Sequence, residues 1–201
     1  MRVGLAVAGI VLVLAGCATT APTTSPTPPP TATASPIGTT PTASPGQPAS
    51  SGAVAIDPSL LDHIPAELDG LDVIRRPETD LAAAADPVVT EFGEGVVTAL
   101  AIDPVSADFA YATLVRLRPG VFTEDLFRSW RESFDEGACS QAGGVVRTAV
   151  TEIAGREVHI DSCEGGLRTS HVWLGNSRVL VSVSAIGERR LGERLVEELQ
   201  D

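Results

Sequence analysis

The sequence predicts an α+β domain built on a mainly antiparallel sheet of about five strands, packed with helices and closed by a disulfide. Hydrophobic and polar residues alternate over four consecutive segments between positions 145 and 186, which is the period of a half-buried strand. Residues 123–136 and 188–199 instead place hydrophobic residues three and four positions apart, as amphipathic helices do. Consecutive strands that do not alternate with helices favour helices packed on an antiparallel sheet.

The composition limits the partners of such a domain. The chain has 201 residues and a net charge of -12, and all 14 of its basic residues are Arg. Nucleic acids and anionic lipid surfaces are bound through clustered cations, so this charge argues against nucleic acid as a partner. The length leaves room for one domain of ordinary size, which we place at residues 53–201.

The N-terminal residues have the pattern of an export signal. Arg2 is the only charge ahead of an apolar run over residues 3–15, and small residues precede Cys17. The run is short for a membrane-spanning helix, which needs about 20 apolar residues. Positions 14–17, with the sequence Leu-Ala-Gly-Cys, resemble the lipobox of bacterial lipoproteins.

That resemblance implies a signal peptide over residues 1–16, removed on export, and a lipid such as palmitate on the new N-terminal Cys17. It also implies a location at the cell membrane, lipid-anchored, on the extracytoplasmic side. The membrane would then be a partner through the anchor alone. An ordinary secreted protein with a cysteine at the cut site by chance is the alternative.

Residues 17–52 are expected to be a disordered tether. From position 18 onward this segment has no charged residue and consists almost entirely of Thr, Pro, Ser, Ala and Gly. Such a composition buries too little apolar surface to offset the entropy of ordering. Fully extended at about 3.1 Å per residue, it would reach on the order of 100 Å from the membrane.

Assigning Cys17 to a lipid leaves two cysteines, Cys139 and Cys163. An even number of cysteines in an oxidising, extracytoplasmic compartment predicts a disulfide. It would close a loop of about 25 residues. A catalytic thiol is the alternative, but the sequence has no motif for one.

The first half of the domain gives weaker signals. Asp57 and Asp86 each precede a proline, an arrangement that predicts a helix start. The first helix should be a single turn, whereas the second keeps helical spacing of apolar residues as far as Ile102, although Gly93 is a poor helix former. Residues 109–118 alternate and predict the first strand.

A strongly amphipathic helix follows that strand. Thr123 can cap its first turn, and we expect it to end at Gly137, with Cys139 just beyond. Charged residues four positions apart, among them Arg131 and Asp135, are expected to pair along its outer face.

Two turns fix the register of the C-terminal meander. A three-residue turn at 164–166 places Ile160 opposite Ser170, and a two-residue turn at 175–176 places Val172 opposite Val179. Both turns put the same apolar residues on one face of the sheet. The four strands are predicted at residues 145–153, 156–163, 167–174 and 178–186. The shared apolar face consists of Val158, Ile160, Val172, Leu174, Val179, Val181 and Val183.

Polar residues gather on the opposite face. His159 is expected opposite His171, and Asp161 opposite Thr169. Exposed aromatic and arginine side chains often anchor interfaces, and Trp173 is expected opposite Arg178. We interpret this face as a binding surface for an envelope protein or a small ligand, unless a helix covers it. Its candidate residues are His159, Asp161, His171, Trp173 and Arg178.

Two other interpretations concern the same residues. His159, Asp161 and His171 could hold a transition metal, as a carrier or a metal-dependent enzyme would, or could titrate together as a pH sensor. Two imidazoles and a carboxylate are, however, common by chance on a polar strand face. A redox sensor would depend instead on the bridge between Cys139 and Cys163.

Enzyme signatures are missing from the sequence. It contains no Gly-x-Ser-x-Gly, no phosphate-binding loop, no dinucleotide fingerprint and no His-Glu-x-x-His. We therefore expect no catalytic residue and no cofactor. The leading hypothesis is a non-catalytic lipoprotein that acts as a binding or accessory module of the cell envelope, without a metal.

Overall fold

The computed structural model describes residues 54–201. The expected signal peptide, the lipidated Cys17 and the tether over residues 17–52 lie outside the described residues. Within residues 54–201, none of the helices combines the length and the apolar character that a membrane span requires.

An eight-stranded, mainly antiparallel sheet organises the described residues, which confirms the α+β class but exceeds the expected five strands. In chain order the strands are β1 (Ala55–Ile56), β2 (Glu67–Leu68), β3 (Leu71–Asp72), β4 (Ile74–Arg75), β5 (Gly93–Ile102), β6 (Phe109–Leu117), β7 (Val145–Ile153), β8 (Arg156–Cys163), β9 (Arg168–Leu174) and β10 (Val179–Ile186). The order across the main sheet is β1-β5-β6-β10-β9-β8-β7, with β4 also paired to β5, while β2 and β3 form a separate ribbon.

Helices cover both faces of the sheet. They are α1 (Pro77–Ala84), α2 (Pro87–Phe92), α3 (Glu124–Cys139) and α4 (Leu191–Glu197), with 3₁₀ turns at Pro58–His63 and Ser140–Ala142. The core on one face includes Leu60 of the first 3₁₀ turn and Leu195 of α4. The core on the other face includes Val89 of α2 and Trp130 of α3.

The apolar face predicted for the meander is confirmed. Its valines and leucine are at most 1% exposed and belong to the core under α4. Ile160 is half-buried against the same core and pairs with Ser170, as expected.

The last hairpin has a different register. Val172 pairs with Val181 instead of Val179, because the turn takes four residues, 175–178, rather than two. Arg178 belongs to this turn and adopts a left-handed φ of 58°. A shift of two residues keeps every side chain on its predicted face, because side chains along a strand alternate with a period of two.

The prediction of a helix from Asp86 to Ile102 is wrong beyond Phe92. Helix α2 ends at that residue, and β5 begins at Gly93. This strand lies inside the sheet and is buried on both faces, so its residues need not alternate. The adjacent Val96 and Val97, for example, belong to opposite cores. A side chain at Gly93 would come within 2.7 Å of a carbonyl oxygen of α2, so the glycine marks the junction between helix and strand.

Helix α3 begins where predicted and ends later. The Thr123 hydroxyl oxygen accepts a hydrogen bond from the Leu126 amide at 3.0 Å. The helix continues through Gly137, whose missing side chain faces open space, and Cys139 is its last residue instead of lying beyond it. The predicted disulfide joins Cys139 to Cys163, with 5.3 Å between the Cα atoms. It ties the end of α3 to the end of β8.

Replacing both cysteines with serine is expected to lower the free energy of unfolding by about 2–4 kcal/mol, because the bridge closes a loop between residues 24 positions apart. Urea unfolding followed by tryptophan fluorescence measures the loss. Cys139 and Cys163 are 0% and 3% exposed, so the bridge of the native wild-type protein should resist mild reductant in the absence of urea. A double variant as stable as the wild type would contradict the expectation.

Candidate functional site

Helix α3 lies across the polar face of β8, β9 and β10. The pairs His159 with His171 and Asp161 with Thr169 form as predicted. The helix, however, buries most of this face: His171 and Thr169 are 0% exposed and Asp161 is 6% exposed. The ring of Phe134 meets the His171 ring edge-on, with the ring centroids 5.3 Å apart.

A chain of hydrogen bonds joins α3 to the sheet beneath it. Trp130 Nε1 donates to Ser182 Oγ at 2.8 Å, and Ser182 Oγ lies 2.8 Å from His171 Nδ1. His171 Nε2 lies 2.9 Å from Asp135 Oδ1, which also accepts from Thr169 Oγ1 at 2.5 Å. Since an indole only donates, the hydroxyl of Ser182 is free to donate to His171 Nδ1, and Nε2–H then donates to Asp135.

Asp161 is a second buried carboxyl group beside Asp135. The pKa of Asp161 is raised to about 6, mainly by burial and secondly by the adjacent Asp135. Burial also acts to raise the pKa of Asp135, but the hydrogen bonds from His171 and from the Thr169 hydroxyl outweigh it and hold that pKa below its ordinary value. As pH falls, Asp161 is therefore the carboxyl group of the pair that takes up the first proton, which it donates to Asp135.

The order Ser182, His171, Asp135 resembles the relay of a serine hydrolase, but its surroundings differ. Both Ser182 and His171 are fully buried, and Ser182 Oγ already accepts from Trp130. A nucleophile must be reachable by its substrate. We therefore interpret these hydrogen bonds as a buried structural network.

A cleft of about 610 Å³ opens between α3 and strands β7 and β8, beside this network. We call it the α3–β8 cleft. Its lining includes Arg131 and Asp135 from α3, Thr148 from β7, and His159 and Asp161 from β8.

Two buried polar atoms in this cleft have no hydrogen-bond partner. Among residues 54–201, Arg131 Nε and Asp161 Oδ1 are the only buried side-chain nitrogen or oxygen atoms in this condition. One is a donor and the other an acceptor, and both residues line the α3–β8 cleft. Unpaired polar atoms are unusual in protein interiors, so their meeting in one cleft marks it as a candidate binding site.

A second cleft, of about 390 Å³, lies beside α4. The charged residues in its lining pair with one another: Arg168 donates to Glu193 at 2.7 Å, and Arg190 also donates to Glu193. Because these charges are already paired, this cleft is a weaker candidate binding site than the α3–β8 cleft.

His159 lies at the edge of the covered face. It is half-buried, with Nε2 3.1 Å from Glu157 Oε1 and its ring edge-on to Phe127. The pKa of His159 is lowered, mainly by burial and secondly by the charge of Arg131, so its ring is neutral at pH 7. It adds a neutral polar group to the wall of the cleft.

The other two residues of the predicted surface lie apart from the cleft. Trp173 pairs with Leu180 instead of Arg178 and stacks on Phe122, with the ring centroids 4.1 Å apart. Arg178 donates to the Leu117 carbonyl at 2.7 Å and also contacts Glu94. The five candidate residues therefore do not form one exposed surface, because α3 buries two of them and the longer turn displaces Arg178.

The residues that could hold a metal differ in one member from the predicted set. In the described part of the chain, Asp135, Asp161 and His171 each offer one ligand atom, all within 4.8 Å of one another. We call these three residues the Asp–His cluster. Asp135 takes the place expected for His159.

Asp135 was the site residue missed from the sequence, where its spacing suggested an outward ion pair with Arg131. It is instead 4% exposed and faces the sheet. One signal was present: Asp135 lies eight positions after Phe127 and next to Phe134, so it sits on the flank of the apolar stripe of α3.

The chain matches no family model, no curated protein sequence and no solved structure.

Replacing Asp161 with Asn should flatten the pH dependence of stability. The pKa of Asp161 is raised above its ordinary value of 3.8 on folding, so its protonation stabilises the fold below about pH 4, and this stabilisation is lost as pH rises through 6. The loss should be roughly 2–3 kcal/mol. The amide of the Asp161→Asn variant cannot titrate but can still donate to Asp135.

Urea unfolding between pH 4.5 and 8, with a chelator present, measures this effect. The other charged groups at the site, including Asp135, His171 and Arg131, are common to both proteins. Asp125, an exposed residue of α3, offers a matched control, and Asp125→Asn should follow the wild-type profile. Parallel profiles for wild type and Asp161→Asn would contradict the assignment.

Proposed function

We propose that the protein is a non-catalytic lipoprotein, anchored through Cys17 on the extracytoplasmic side of the cell membrane, and that it binds a small ligand in the α3–β8 cleft. The observation that carries the proposal is the pair of buried atoms without partners, Arg131 Nε and Asp161 Oδ1, in the lining of that cleft. A suitable ligand would accept a hydrogen bond from Arg131 Nε. It would also donate a hydrogen bond to Asp161 Oδ1 or place a positive charge beside it. Both atoms would then have a partner.

The energetics favour such a ligand. Leaving a buried donor or acceptor unpaired costs about 1–3 kcal/mol, more for charged groups. A ligand that pairs both atoms recovers this cost on binding. The cleft volume of about 610 Å³ suits a small molecule or ion, since ligand pockets commonly span about 300–1,000 Å³.

The cleft is also held in shape before any ligand arrives. The Arg131 guanidinium lies over the Phe127 ring, 5.0 Å from its centroid. Asp135 and Asp161 each lie a few residues before one half of the disulfide, which fixes α3 against β8. A preorganised site spends less binding energy on ordering its side chains.

The anchor is supported by the export-signal pattern and by the lipobox-like sequence at positions 14–17. A tether over residues 17–52 would let the domain search a zone within some tens of ångströms of the membrane. The net charge of -12 disfavours nucleic acid as the partner. These features together support a role in the envelope.

Replacing Cys17 with Ser is expected to abolish lipidation, because the thioether forms only on a cysteine sulfur. Cells labelled with a palmitate analogue should yield a labelled wild-type chain and an unlabelled Cys17→Ser chain. The Cys139→Ser, Cys163→Ser double variant controls for loss of any cysteine and should still be labelled. Equal labelling of Cys17→Ser and wild type would rule out this anchor.

Filling the cleft should abolish ligand binding. Thr148 and Thr151 both lie on β7, but only Thr148 lines the cleft. Native mass spectrometry of the chain extracted from its own membrane measures this effect. We expect a bound species on the wild type and on Thr151→Trp. On Thr148→Trp, the amount of this bound species should be at least tenfold lower.

A panel of amino acids, polyamines, dicarboxylates and divalent metal ions, read by thermal shift, covers ligands lost during extraction. The same difference between Thr148→Trp and Thr151→Trp is expected there. Equal binding by both variants, or no bound species and no shift with any compound of the panel, would disprove binding in the α3–β8 cleft.

A further inference from the structure

Three side chains of types that can bind metals converge beside the α3–β8 cleft from three different elements. Asp135 comes from α3, Asp161 from β8 and His171 from β9, with one ligand atom from each inside a 4.8 Å group. Bonds to zinc of about 2.0–2.2 Å place neighbouring ligand atoms roughly 3.3 Å apart in a tetrahedral site. The present 2.9 Å between His171 Nε2 and Asp135 Oδ1 would need to widen by only about 0.4 Å.

The charges of the Asp–His cluster leave room for a cation. Asp135 and Asp161 are 4% and 6% exposed, and buried carboxylates need a proton or a cation beside them. The nearby cations are the Arg131 guanidinium, whose charge acts on Asp161, and the imidazole of His171, which can carry at most one positive charge. Within the Asp–His cluster itself, that one charge faces two negative charges when both carboxyl groups are ionised. A divalent ion with a neutral imidazole balances the two carboxylates.

One ligand atom is free and the cleft leads to it. Asp161 Oδ1 is buried and accepts no hydrogen bond, and Asp161 and Asp135 line the α3–β8 cleft. An ion bound to the three protein atoms would have a further coordination position facing the cleft. Three protein ligands with one open position are typical of zinc sites that bind water or a small molecule.

The surroundings of the ligands also suit a metal. If Nε2 of His171 binds an ion, Nδ1–H donates to Ser182 Oγ, now 2.8 Å away. A metal-binding histidine almost always donates its other ring N–H in this way. Thr169 Oγ1 already orients Asp135. The hydrogen-bond partners that would orient two of the ligands are therefore in place before the ion binds.

We propose that Asp135, Asp161 and His171 bind one divalent transition-metal ion, preferentially Zn²⁺, at the base of the α3–β8 cleft. The inference rests on the proposed function, because the ion would bind in the same cleft and would satisfy Asp161 Oδ1. Its open coordination position leaves room for a water or small molecule that accepts from Arg131 Nε. One imidazole with two carboxylates suits Zn²⁺ better than Ca²⁺, which takes six to eight oxygen ligands. It is also better suited than Mg²⁺, which keeps several waters.

Calorimetric titration of the full-length, detergent-solubilised chain with ZnCl₂, after treatment with a chelator, tests the site. We expect one ion per wild-type chain and an affinity lower by roughly 100-fold or more in Asp161→Asn, because the loss of a ligand should cost at least as much as the loss of an outer-shell partner. Asp161→Asn keeps the shape of the side chain and its hydrogen bond to Asp135, and its circular dichroism spectrum should match that of the wild type.

Asp125→Asn is the matched control, since it makes the same carboxylate-to-amide change on an exposed residue of α3 that neither lines the α3–β8 cleft nor belongs to the Asp–His cluster. Its zinc affinity should stay within about threefold of the wild type. In a ¹⁵N-resolved spectrum, zinc should shift the His171 ring nitrogens of the wild type and leave those of Asp161→Asn unchanged.

Two results would overturn the inference: no zinc binding by the wild type, or equal zinc affinity in wild type and Asp161→Asn. A species that is not a metal and that is lost in Thr148→Trp but not in Thr151→Trp would then preserve the proposed function while the metal inference fails. The absence of any bound species would remove both.

Discussion

The contact between His171 Nε2 and Asp135 Oδ1, 2.9 Å long, sets the position of α3 on the sheet. An apolar helix stripe alone can pack in several rotational settings, because dispersion and the hydrophobic effect have little directionality. A buried carboxylate between an imidazole and the Thr169 hydroxyl is satisfied in one setting only. With Asp135 turned inward, Arg131, one turn earlier, is directed toward the neighbouring cleft.

The cleft arises where α3 ceases to cover the sheet. The helix seals His171 and Thr169 of β9 completely, whereas β7, at the edge of the sheet, is largely exposed. Strand β8 lies at the border between these regions, with Asp161 buried and His159 half-buried. The same residue pattern therefore produces a sealed network on one strand and a wall of the cleft on the next.

The C-terminal meander could be predicted from sequence because the features that define it, alternating residues and turns between adjacent strands, are local in the chain. Alternation assigns each residue to a face, and an error of two residues in the last turn, at Arg178, leaves the faces unchanged. Strand β5 could not be predicted, because a strand buried on both faces has no alternation and its identity depends on pairing with β6. Asp135 was missed for a related reason: local spacing favours Arg131 as its partner, whereas packing across the sheet supplies His171.

The same geometry argues against a redox switch. A redox sensor needs a disulfide that reductant can reach, but the sulfurs of Cys139 and Cys163 are buried, and the bond between them fixes the two elements that carry Asp135 and Asp161. A proton on Asp161 and a bound cation would satisfy the same deficit of positive charge, so each would be gained at the expense of the other. The rigid pair of buried carboxyl groups therefore favours a bound cation once Asp161 has lost its proton.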